Sequence, residues 1–436
     1  MLILALDVGT SSVKAAVIDA ASAQPVGPIG KSVYALEHPT PDAAEVPPER
    51  LWEAVAAAAR QAVRRAPEPE VVGLSCLTPA LILLDEADRP LGPIWTHLDR
   101  RARPAARQVW AAVGEEFLAT TGNRPLPGGI TAVCFRQQLS ADPYLARRVQ
   151  SYLHANSWLG LRLTGEQVFD RANACFSGLY GTMTDQKWSE RWCQYFEVEP
   201  HWLPPVVCGS TTIGTLRSAA AAELGVPAGL PVKIGTADTS SAMLAAGMAP
   251  GDLLHVVGTT QVLAAITEHP KPDAKRLTRQ LGVGAAFIHV THNPVGGVAL
   301  GWLRELCFRD QSEEEFYAHA IPAARNRQTR VTLDPPYLGG DRLEIEAHRA
   351  AFRDLTLTTD RLDLLAALLE ALQRKHREAL AALGLGEHFQ RIFVTGGGAE
   401  VVRQLLPEYA AANVQLLDEG SLRGVARLFG PSNSST

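Results

Sequence analysis

The amino-acid sequence predicts an α/β protein built from two related domains. Its 436 residues exceed the size at which one hydrophobic core usually stops growing, so two domains are expected. A strand–turn–strand pattern that opens the chain returns in the second half. Strand, glycine-turn and helix patterns follow there, as is typical of an α/β domain. We therefore place the domains at residues 1–232 and 233–436.

The opening stretch ILALDVGTSSVKAAVID, from Ile3 to Asp19, predicts two apolar strands around a tight polar turn. Asp7 stands where the first strand ends, and an unpaired carboxylate there is costly unless it is exposed or bound. Gly9 has no Cβ and lets backbone approach a phosphate closely. Because concave turns of this kind bind anions, we expect phosphate contacts. The further candidate contacts are Thr10, Ser11 and Ser12 as neutral donors and Lys14 as a point charge. An ordinary hairpin turn is the alternative.

The segments that follow continue the α/β pattern. PPERLWEAVAAAARQAVRRA predicts a helix, VVGLSCL a strand and LILLDEADRPLGPIW a hairpin. The region from Asp99 to about Val198 is expected to be largely helical, and LPVKIG, from Leu230 to Gly235, returns to a strand. GTADTSSAMLAAG then places Asp238 at a helix start. From spacing alone, the N-cap role that Asp favours explains this residue without catalysis.

The stretch LLHVVGTTQVLAAIT, from Leu253 to Thr267, repeats the opening hairpin in register. The turn residues align as Gly9 with Gly258, Thr10 with Thr259 and Ser11 with Thr260. Asp7 aligns with Val256, so the acid belongs to the first copy. Self-similarity across a whole hairpin indicates a duplication. Two such turns, one in each domain, would hold a polyphosphate from both sides of a cleft.

The rest of the second half also fits an α/β domain. VGGVALGWLREL predicts an amphipathic helix, DRLDLLAALLEALQRKHREALAAL a long one, and RIFVTGGGAEVVRQLL a strand, glycine turn and helix. The triple glycine permits close contact with adenine or phosphates. Since it is not G-x-G-x-x-G, a dinucleotide-binding fold is disfavoured.

Composition excludes several classes of function. The net charge is −5 and no block of Lys or Arg indicates nucleic-acid binding. The six cysteines form no C-x-x-C pair, so neither a zinc site nor a disulfide framework is expected, and a cytoplasmic location is the simpler interpretation. No apolar run is long enough to span a membrane. We assign no metal to the isolated histidines His97, His289 and His292.

An ordered set of motifs resembles one known family. DVGTSSVK, GTADTSSAMLAAG, VVGTTQVLAA, PVGGVALGWLREL, PPYLGGDR and VTGGGAEVV occur in order, and TGNRPLPGG and WLGLRLTGE add to them. Together they resemble the FGGY carbohydrate kinases, which phosphorylate sugars and polyols with ATP. The resemblance covers nearly the whole chain. It implies two actin-like (ribonuclease-H-like) domains closing on a cleft, with sugar bound by the N-terminal domain and nucleotide by the C-terminal one.

The resemblance also implies roles for individual residues. Asp238 matches the catalytic base, which reverses the expectation that it only caps a helix. Asp7 matches the acid near Mg²⁺ and the reacting hydroxyl, so ATP and Mg²⁺ are the expected cofactors. Further matches to phosphate-contacting positions are Gly9, Thr10, Ser11, Gly258 and Thr259, and matches to the nucleotide pocket are Gly297, Gly397 and Gly398.

The sugar that accepts the phosphate is predicted from one position at which this chain departs from the family pattern. Where xylulose kinases carry Met-His and glycerol kinases Arg-Glu, this chain has Thr78-Pro79. A small hydroxyl there resembles short ribulose-kinase-like members, so a ketopentose such as D-ribulose or D-xylulose is the first candidate. Ser11, Thr78 and Asp99 would contact it. For Asp99, a surface acid beside two arginines is an equal alternative.

Other interpretations remain open. Another acceptor, such as glycerol, a deoxyketose or a tetrulose, would keep the chemistry. Val401 in place of a usual Asn, and the segment EGSLRGVARLFG, depart from the family and put nucleotide preference in question. They also motivate a non-catalytic ligand-binding relative, although Asp7 and Asp238 argue against it. An actin-like or chaperone-like ATPase shares the fold. Partners are expected to be a small sugar and a second copy in a homodimer, with no nucleic acid or membrane.

Overall fold

The computed structural model describes residues 1–257, 261–338, 340–384, 389–396, 406, 409 and 413–429. The chain divides into two compact units. The first contains Met1–Met248, Ile266–Ile288 and the segment from Glu419 onward, and the second contains Ala249–Ala265 and His289–Asp418. The helices of the described residues are too short or too polar to cross a membrane.

The strands of the described residues are, in chain order, β1 Leu2–Val8, β2 Ser12–Asp19, β3 Gln24–Pro25, β4 Gly30–Val33, β5 Glu45–Val46, β6 Val71–Cys76, β7 Ala80–Leu84, β8 Ile94–Thr96, β9 Ser151–His154, β10 Phe169–Asp170, β11 Val206–Val207, β12 Thr212–Thr215, β13 Pro231–Ala237, β14 Leu253–Val257, β15 Gln261–Thr267, β16 Leu277–Gln280, β17 Phe287–Asn293, β18 Thr332–Leu333, β19 Phe352–Arg353, β20 Ile392–Thr395 and β21 Val414–Leu416.

The α-helices of the described residues are α1 Pro48–Val63, α2 Arg103–Thr121, α3 Thr131–Ala141, α4 Ala155–Thr164, α5 Arg171–Ala174, α6 Glu190–Phe196, α7 Ser218–Leu224, α8 Asp238–Ala245, α9 Val298–Cys307, α10 Glu313–Glu315, α11 Ile321–Arg325, α12 Arg361–Ala382 and α13 Gly420–Gly424. A π-helical turn, Phe316–Ala320, joins α10 to α11.

The first unit is organised around a sheet with strand order β12-β13-β6-β1-β2-β3, in which β4 also pairs with β2. The opening hairpin is confirmed, because β1 and β2 pair antiparallel. On its other side β1 pairs parallel with β6, and β6 pairs parallel with β13. β1, β6 and β13 therefore run in the same direction, and their carboxyl ends lie at one edge of the sheet.

The predicted boundary after residue 232 does not coincide with the end of the first unit. It falls inside β13, and this whole strand pairs with the first sheet. The unit continues to Met248 and also recruits residues 266–288 and the segment from Glu419. The reason is that chain segments distant in sequence complete one hydrophobic core, in which Leu422 and Val425 pack with Ile3 and Val71. Position in the sequence does not reveal that a distant segment packs back into the first unit.

Helix α1 shows why these elements form. Pro48 stands in its first turn, where the missing N–H costs nothing. The alanine-rich sequence favours the helix, and Leu51, Trp52 and Val55 turn one apolar face inward. Region 99–198 is largely helical as expected, from α2 to α6, but it also contributes β9 and β10. The hairpin predicted at residues 81–95 is confirmed by the antiparallel pair β7–β8.

The second unit contains most of a sheet with order β16-β17-β15-β14-β20-β21. Here β14 pairs antiparallel with β15 and parallel with β20. This repeats the relation of β1 to β2 and β6, as the proposed duplication requires. The long predicted helix is α12, and it begins with a capping box between Asp360 and Asp363.

Candidate active site

The carboxyl ends of β1, β6 and β13 bring the two predicted acids to the same edge of one sheet. Asp7 pairs in register with Ser75 of β6, and Ser75 pairs with Thr236 of β13. Asp238 follows two residues later, at the start of α8. Ligands of open α/β sheets bind beyond the carboxyl ends of parallel strands. The structure therefore places both acids where such a ligand is expected.

Asp7 lies in an environment that disfavours its charge. Ser75 donates a hydrogen bond from Oγ to Asp7 Oδ1 at 2.9 Å. Desolvation and the charge of Asp238 raise the pKa of Asp7 to about 7, while the Ser75 bond and Lys14 oppose this shift. Asp7 is nevertheless partly exposed to solvent. An acid with this pKa is suited to bind a cation, which would restore its ionised form.

Asp238 reaches the site through an irregularity in β13. Gly235 adopts φ +73°, and a Cβ there would lie 1.7 Å from the carbonyl oxygen of Leu74. The pairing with β6 shifts register between Lys233 and Thr236, as in a β-bulge. This local bend depends on glycine. The regular strand predicted to end at Gly235 therefore continues to Ala237, and α8 starts directly afterwards.

The N-cap role expected for Asp238 needs a correction. The N-cap residue is Ala237, and Asp238 is the first helical residue. Its Oδ1 accepts hydrogen bonds from the backbone N–H of Thr239 at 2.5 Å and from the Thr239 hydroxyl at 3.1 Å. It thus satisfies one free N–H of the first turn. The other oxygen, Oδ2, has no hydrogen-bond partner among the described residues, so it is available to accept a proton.

For phosphate binding, the turn between β1 and β2 offers hydroxyl groups rather than the N–H of Gly9. That N–H already donates to the carbonyl of Ser12 at 3.0 Å, and Tyr34 donates its hydroxyl to the Gly9 carbonyl. Ser11 is exposed, and Thr10 and Ser12 are partly exposed. Their hydroxyls make no hydrogen bond with other described residues. These three side chains are therefore the donors that a phosphate would meet at this turn.

Lys14 is not a free phosphate ligand in this structure. Its ammonium group donates to both carboxylate oxygens of Glu419, at 2.6 and 2.7 Å. Glu419 lies 405 residues away and directly precedes α13. The sequence interpretation did not identify it, although it had marked EGSLRGVARLFG as unusual. A phosphate would have to compete with this carboxylate for Lys14.

Thr78 belongs to a buried polar network. Its hydroxyl donates to Asn173 Oδ1 at 2.6 Å, and Asn173 Nδ2 donates to Asp170 Oδ2 at 2.6 Å. Asp170 also caps α5, and Thr236 Oγ1 lies 3.4 Å from its Oδ1. Desolvation raises the pKa of Asp170 and lowers that of His154, which also contacts Asn173, to about 4. The network connects Thr78 to β13, the strand that carries Asp238.

Asp99 does not have the environment expected of a sugar ligand. Its carboxylate is fully buried and accepts hydrogen bonds from the N–H of Ala44 and from the backbone and guanidinium of Arg101. Arg101 also pairs with Glu45. The surface alternative is therefore wrong, because Asp99 is fully buried and both of its oxygens accept hydrogen bonds. The contact with the sugar stays a prediction.

Arg279 is a charged residue beside Asp238 that the sequence interpretation missed. It lies on β16, is 2% exposed, and donates from Nη1 to Ser240 Oγ in the first turn of α8 and to the carbonyl of Gln280. Desolvation lowers its pKa to about 10, although Asp238, Cys175 and Asp170 act in the opposite direction. The only sequence signal was an Arg within the mixed polar and apolar stretch LTRQLG.

Most predicted positions of the second unit lie outside the described residues. These are Gly258, Thr259, Thr260, Gly397, Gly398 and the departure Val401. Gly297 is described and forms the N-cap of α9, with φ −59°. Gly396, the first glycine of the triple, has φ +102°, and a Cβ there would meet the carbonyl of Val257 at 2.2 Å. The junction between β20 and the turn that follows it therefore requires glycine at position 396.

No group of three or more metal-ligating side chains occurs among the described residues. A Mg²⁺ ion needs only one or two carboxylates when phosphate oxygens and water complete its coordination. Asp7 fits this arrangement, because its carboxylate is partly exposed and destabilised by the neighbouring Asp238.

Comparison with known proteins gives concordant matches for both parts of the chain. Residues 2–245 match the N-terminal domain of the FGGY family of carbohydrate kinases, and residues 253–428 match its C-terminal domain. The crystal structure of xylulose kinase from Rhodospirillum rubrum superposes with a TM-score of 0.86 at 25% identity, covering 100% of this chain and 91% of that one. The fold is thus two actin-like (ribonuclease-H-like) domains, as expected from the resemblance.

Two curated relatives differ in their acceptors. A xylulose kinase of Streptomyces coelicolor is 28% identical over 276 residues, which cover 62% of this chain and 56% of the relative. A gluconokinase of Bacillus subtilis is 24% identical over 456 residues, covering 94% of this chain and 83% of the relative. The chain spans little more than half the length of the first curated relatives that it matches.

Proposed function

Because the chain belongs to the FGGY family of carbohydrate kinases, we propose that it transfers the γ-phosphoryl group of ATP to a hydroxyl group of a small sugar. One observation carries the proposal. Asp7 and Asp238 stand at the carboxyl ends of parallel strands of one sheet, next to a turn with free hydroxyl groups. Two acids and a phosphate-binding turn are what such a transfer needs.

Asp238 is proposed as the general base. Oδ1 is held by Thr239, which fixes the carboxylate, and Oδ2 is left to accept the proton of the acceptor hydroxyl. A base positioned in this way contributes typically about 10²–10⁴-fold to the rate. The other contributions are orientation and stabilisation of charge on the transferred group.

The phosphates are proposed to meet the hydroxyls of Thr10, Ser11 and Ser12. Gly9 serves the geometry of the turn rather than donating its N–H, which Ser12 already occupies. Gly258, Thr259 and Thr260 would supply the matching turn of the second unit, and Gly297, Gly397 and Gly398 the nucleotide pocket. In this proposal the first unit binds mainly the sugar and the second unit mainly the nucleotide.

Asp7 is the proposed protein ligand of Mg²⁺. The bound ion would stabilise negative charge on the phosphate oxygens. The protein's own contribution is the placement of this carboxylate, which Ser75 fixes through its hydrogen bond. Lys14 and Glu419 form an ion pair near Asp7 that adds no net charge to the site.

Two classes of acceptor are supported by different observations. A ketopentose, D-ribulose or D-xylulose, is one candidate, as predicted from the sequence; the small Thr78 and the similarity to xylulose kinases favour it. A sugar acid is the second, because Arg279 adds a buried positive charge beside Asp238 and because a gluconokinase aligns over 94% of the chain. A cytoplasmic location and a homodimer remain predictions.

The test is ADP release by the purified chain with ATP, Mg²⁺ and a panel of ketoses, polyols and sugar acids. We expect release to depend on one acceptor class and to require Mg²⁺. Substitution Asp238→Asn serves as the inactive control. ADP release with no acceptor would contradict the proposal and favour an actin-like ATPase. No ADP release with any acceptor, despite ATP binding, would contradict it and favour a non-catalytic relative.

A further inference from the structure

Arg279 is a buried cation without an ion pair among the described residues. Only 2% of its surface is exposed, and its hydrogen bonds are those from Nη1 to Ser240 Oγ and to the carbonyl of Gln280. Both acceptors are neutral. Nε and Nη2 donate to no described residue. A guanidinium group has five N–H donors, so most of its capacity is unused.

Two other arginines of the chain form ion pairs with buried carboxylates. Arg101 pairs with the fully buried Asp99, and Arg391 pairs with the fully buried Asp252. Both are more exposed than Arg279, yet each has a carboxylate partner. The most deeply buried of these three cations is therefore the one whose charge lacks a direct partner among the described residues.

The nearby acids do not compensate this charge fully. Asp238 and Asp170 are close enough to raise the pKa of Arg279, but burial outweighs them and lowers it to about 10. Asp238 is held by Thr239, and Asp170 by Asn156 and Asn173. Neither carboxylate is therefore free to move into contact with the guanidinium group without losing its own hydrogen bonds.

A structural role does not explain such a residue. Burying a cation without a partner costs several kcal/mol, and an apolar side chain of similar volume would fill the same space at no such cost. The ring of Phe176 lies 5.7 Å from Arg279 Cζ and offers a weak cation–π contact. This contact orients the planar group but does not replace an anion.

We infer that Arg279 binds a carboxylate of the acceptor, so that the substrate is a sugar acid, an aldonate or keto-aldonate, rather than a neutral ketopentose. A planar guanidinium matches a carboxylate through two parallel hydrogen bonds. Arg279 contacts the first turn of α8 through Ser240, two residues after the proposed base, so the acid group would bind close to Asp238. This inference rests on the proposed kinase function and narrows its acceptor.

The experiment compares matched acceptors on the purified enzyme. D-gluconate and D-glucitol have the same chain length and differ at C1, where one has a carboxylate and the other a hydroxymethyl group. D-xylulose is the ketopentose arm. ADP release gives kcat/KM for each with the wild type, Arg279→Met and Arg279→Lys. Arg148→Met removes an exposed arginine that pairs with Asp142 and serves as the control.

Two hydrogen bonds to a charged group imply a preference of at least about 100-fold for gluconate over glucitol. We expect Arg279→Met to reduce kcat/KM for gluconate by about that factor, and the ratio of the two acceptors to approach one. Arg279→Lys should keep part of the preference, and Arg148→Met all of it. Higher kcat/KM for D-xylulose than for gluconate in the wild type would overturn the inference, and so would an equal loss for both acceptors in Arg279→Met.

Ligand binding separates this inference from the proposed kinase function. Gluconate should raise the melting temperature of the wild type but not of Arg279→Met, whatever the turnover. ADP release with neutral sugars only, together with no rise in melting temperature with gluconate, would support the kinase function and contradict the inference that the acceptor is a sugar acid. A rise in melting temperature with gluconate, but no ADP release with any acceptor, would contradict the kinase function and support the acid-binding role of Arg279.

Discussion

Ser75 donates a hydrogen bond of 2.9 Å to Asp7 across two neighbouring parallel strands. Ser75 is fully buried, whereas Asp7 is partly exposed. The bond therefore fixes one oxygen of the carboxylate, while the other accepts no hydrogen bond from a described residue. Asp238 stands close enough to raise the pKa of Asp7. Substitution of Asp7 and substitution of Asp238 are therefore expected to have different effects.

Asp238→Asn should lower kcat by about 10²–10⁴-fold, because the amide cannot accept the hydroxyl proton. The side chain keeps its size, and its oxygen can still accept the Thr239 N–H, so the melting temperature should change little. Asp42→Asn, at an exposed carboxylate, is the control and should retain full turnover. Near-normal turnover of Asp238→Asn would remove Asp238 from the role of base.

Asp7→Asn should abolish Mg²⁺-dependent transfer and yet stabilise the ligand-free chain at alkaline pH. The pKa of Asp7 is raised from 3.8 to about 7, so the folded state binds the extra proton and stability falls as pH rises through that range. The Asp7→Asn variant does not lose stability in this way, because asparagine does not ionise. After allowance for partial exposure, its advantage should be about 1–2 kcal/mol larger at pH 8 than at pH 5, measured by chemical denaturation. An advantage independent of pH would contradict this account.

Asp99→Ala should act on stability rather than on the sugar. It leaves Arg101 without the buried carboxylate that accepts from its Nε and Nη2, and should cost about 2–3 kcal/mol of unfolding free energy. Asp142→Ala breaks the exposed pair with Arg148 and should cost less than about 1 kcal/mol. If KM for the acceptor rises strongly in Asp99→Ala while stability is unchanged, the residue contacts the sugar after all.

Gly297→Ala tests the nucleotide pocket. Gly297 has φ −59°, and a Cβ would meet only Val257 Cγ1, at 3.8 Å, so the fold should tolerate alanine. If the backbone of Gly297 contacts ATP, the methyl group should raise KM for ATP several-fold with little change in melting temperature. Gly396→Ala is the contrasting variant and should lower the melting temperature, because its Cβ would collide with the Val257 carbonyl. An unchanged KM for ATP in Gly297→Ala would exclude this glycine from the pocket.

The second unit should lose stability in mild acid. His255 and His376 stack with centroids 5.2 Å apart in its interior. Burial lowers the pKa of His376 to about 4 and the pKa of His255 well below its usual value. The folded state thus resists protonation that the unfolded chain accepts near pH 6.5, and stability falls as pH drops below that value. For His376 alone the loss between pH 7 and pH 5 is about 2 kcal/mol.

Replacing this histidine separates its effect from general acid denaturation. His376→Leu should reduce the pH dependence of the unfolding free energy by about that amount, while His269→Leu, at an exposed position, should not. Equal pH dependence in the wild type and His376→Leu would contradict the assignment.

Local sequence was sufficient for the elements that carry the acids. Alternation of apolar residues around Gly-Thr predicted both hairpins, and the apolar strand ending at Asp7 predicted an acid at a strand end. The helix start at Asp238 was predicted to within one residue. These features depend on residues close in sequence, whose periodicity and turn preferences act without the rest of the chain.

Other predictions failed or were incomplete because their causes are distant in sequence. The pairing of Lys14 with Glu419 joins residues 405 positions apart, and the buried Asp99 accepts a hydrogen bond from the N–H of Ala44, 55 positions earlier. No local pattern reports which surface a polar side chain will face. The boundary at residue 232 was displaced for the same reason, since β13 completes a sheet started by β1.

By itself, the sequence determined the α/β class, the duplicated hairpins and the two acids, because hydrophobic periodicity and turn residues fix local structure. Only the tertiary structure decided which charges meet: Lys14 with Glu419, Asp99 with Arg101, and Arg279 beside Asp238, with no ion pair to any residue that the structure describes. Burial and Coulomb interactions depend on distances through space, and folding alone sets those distances.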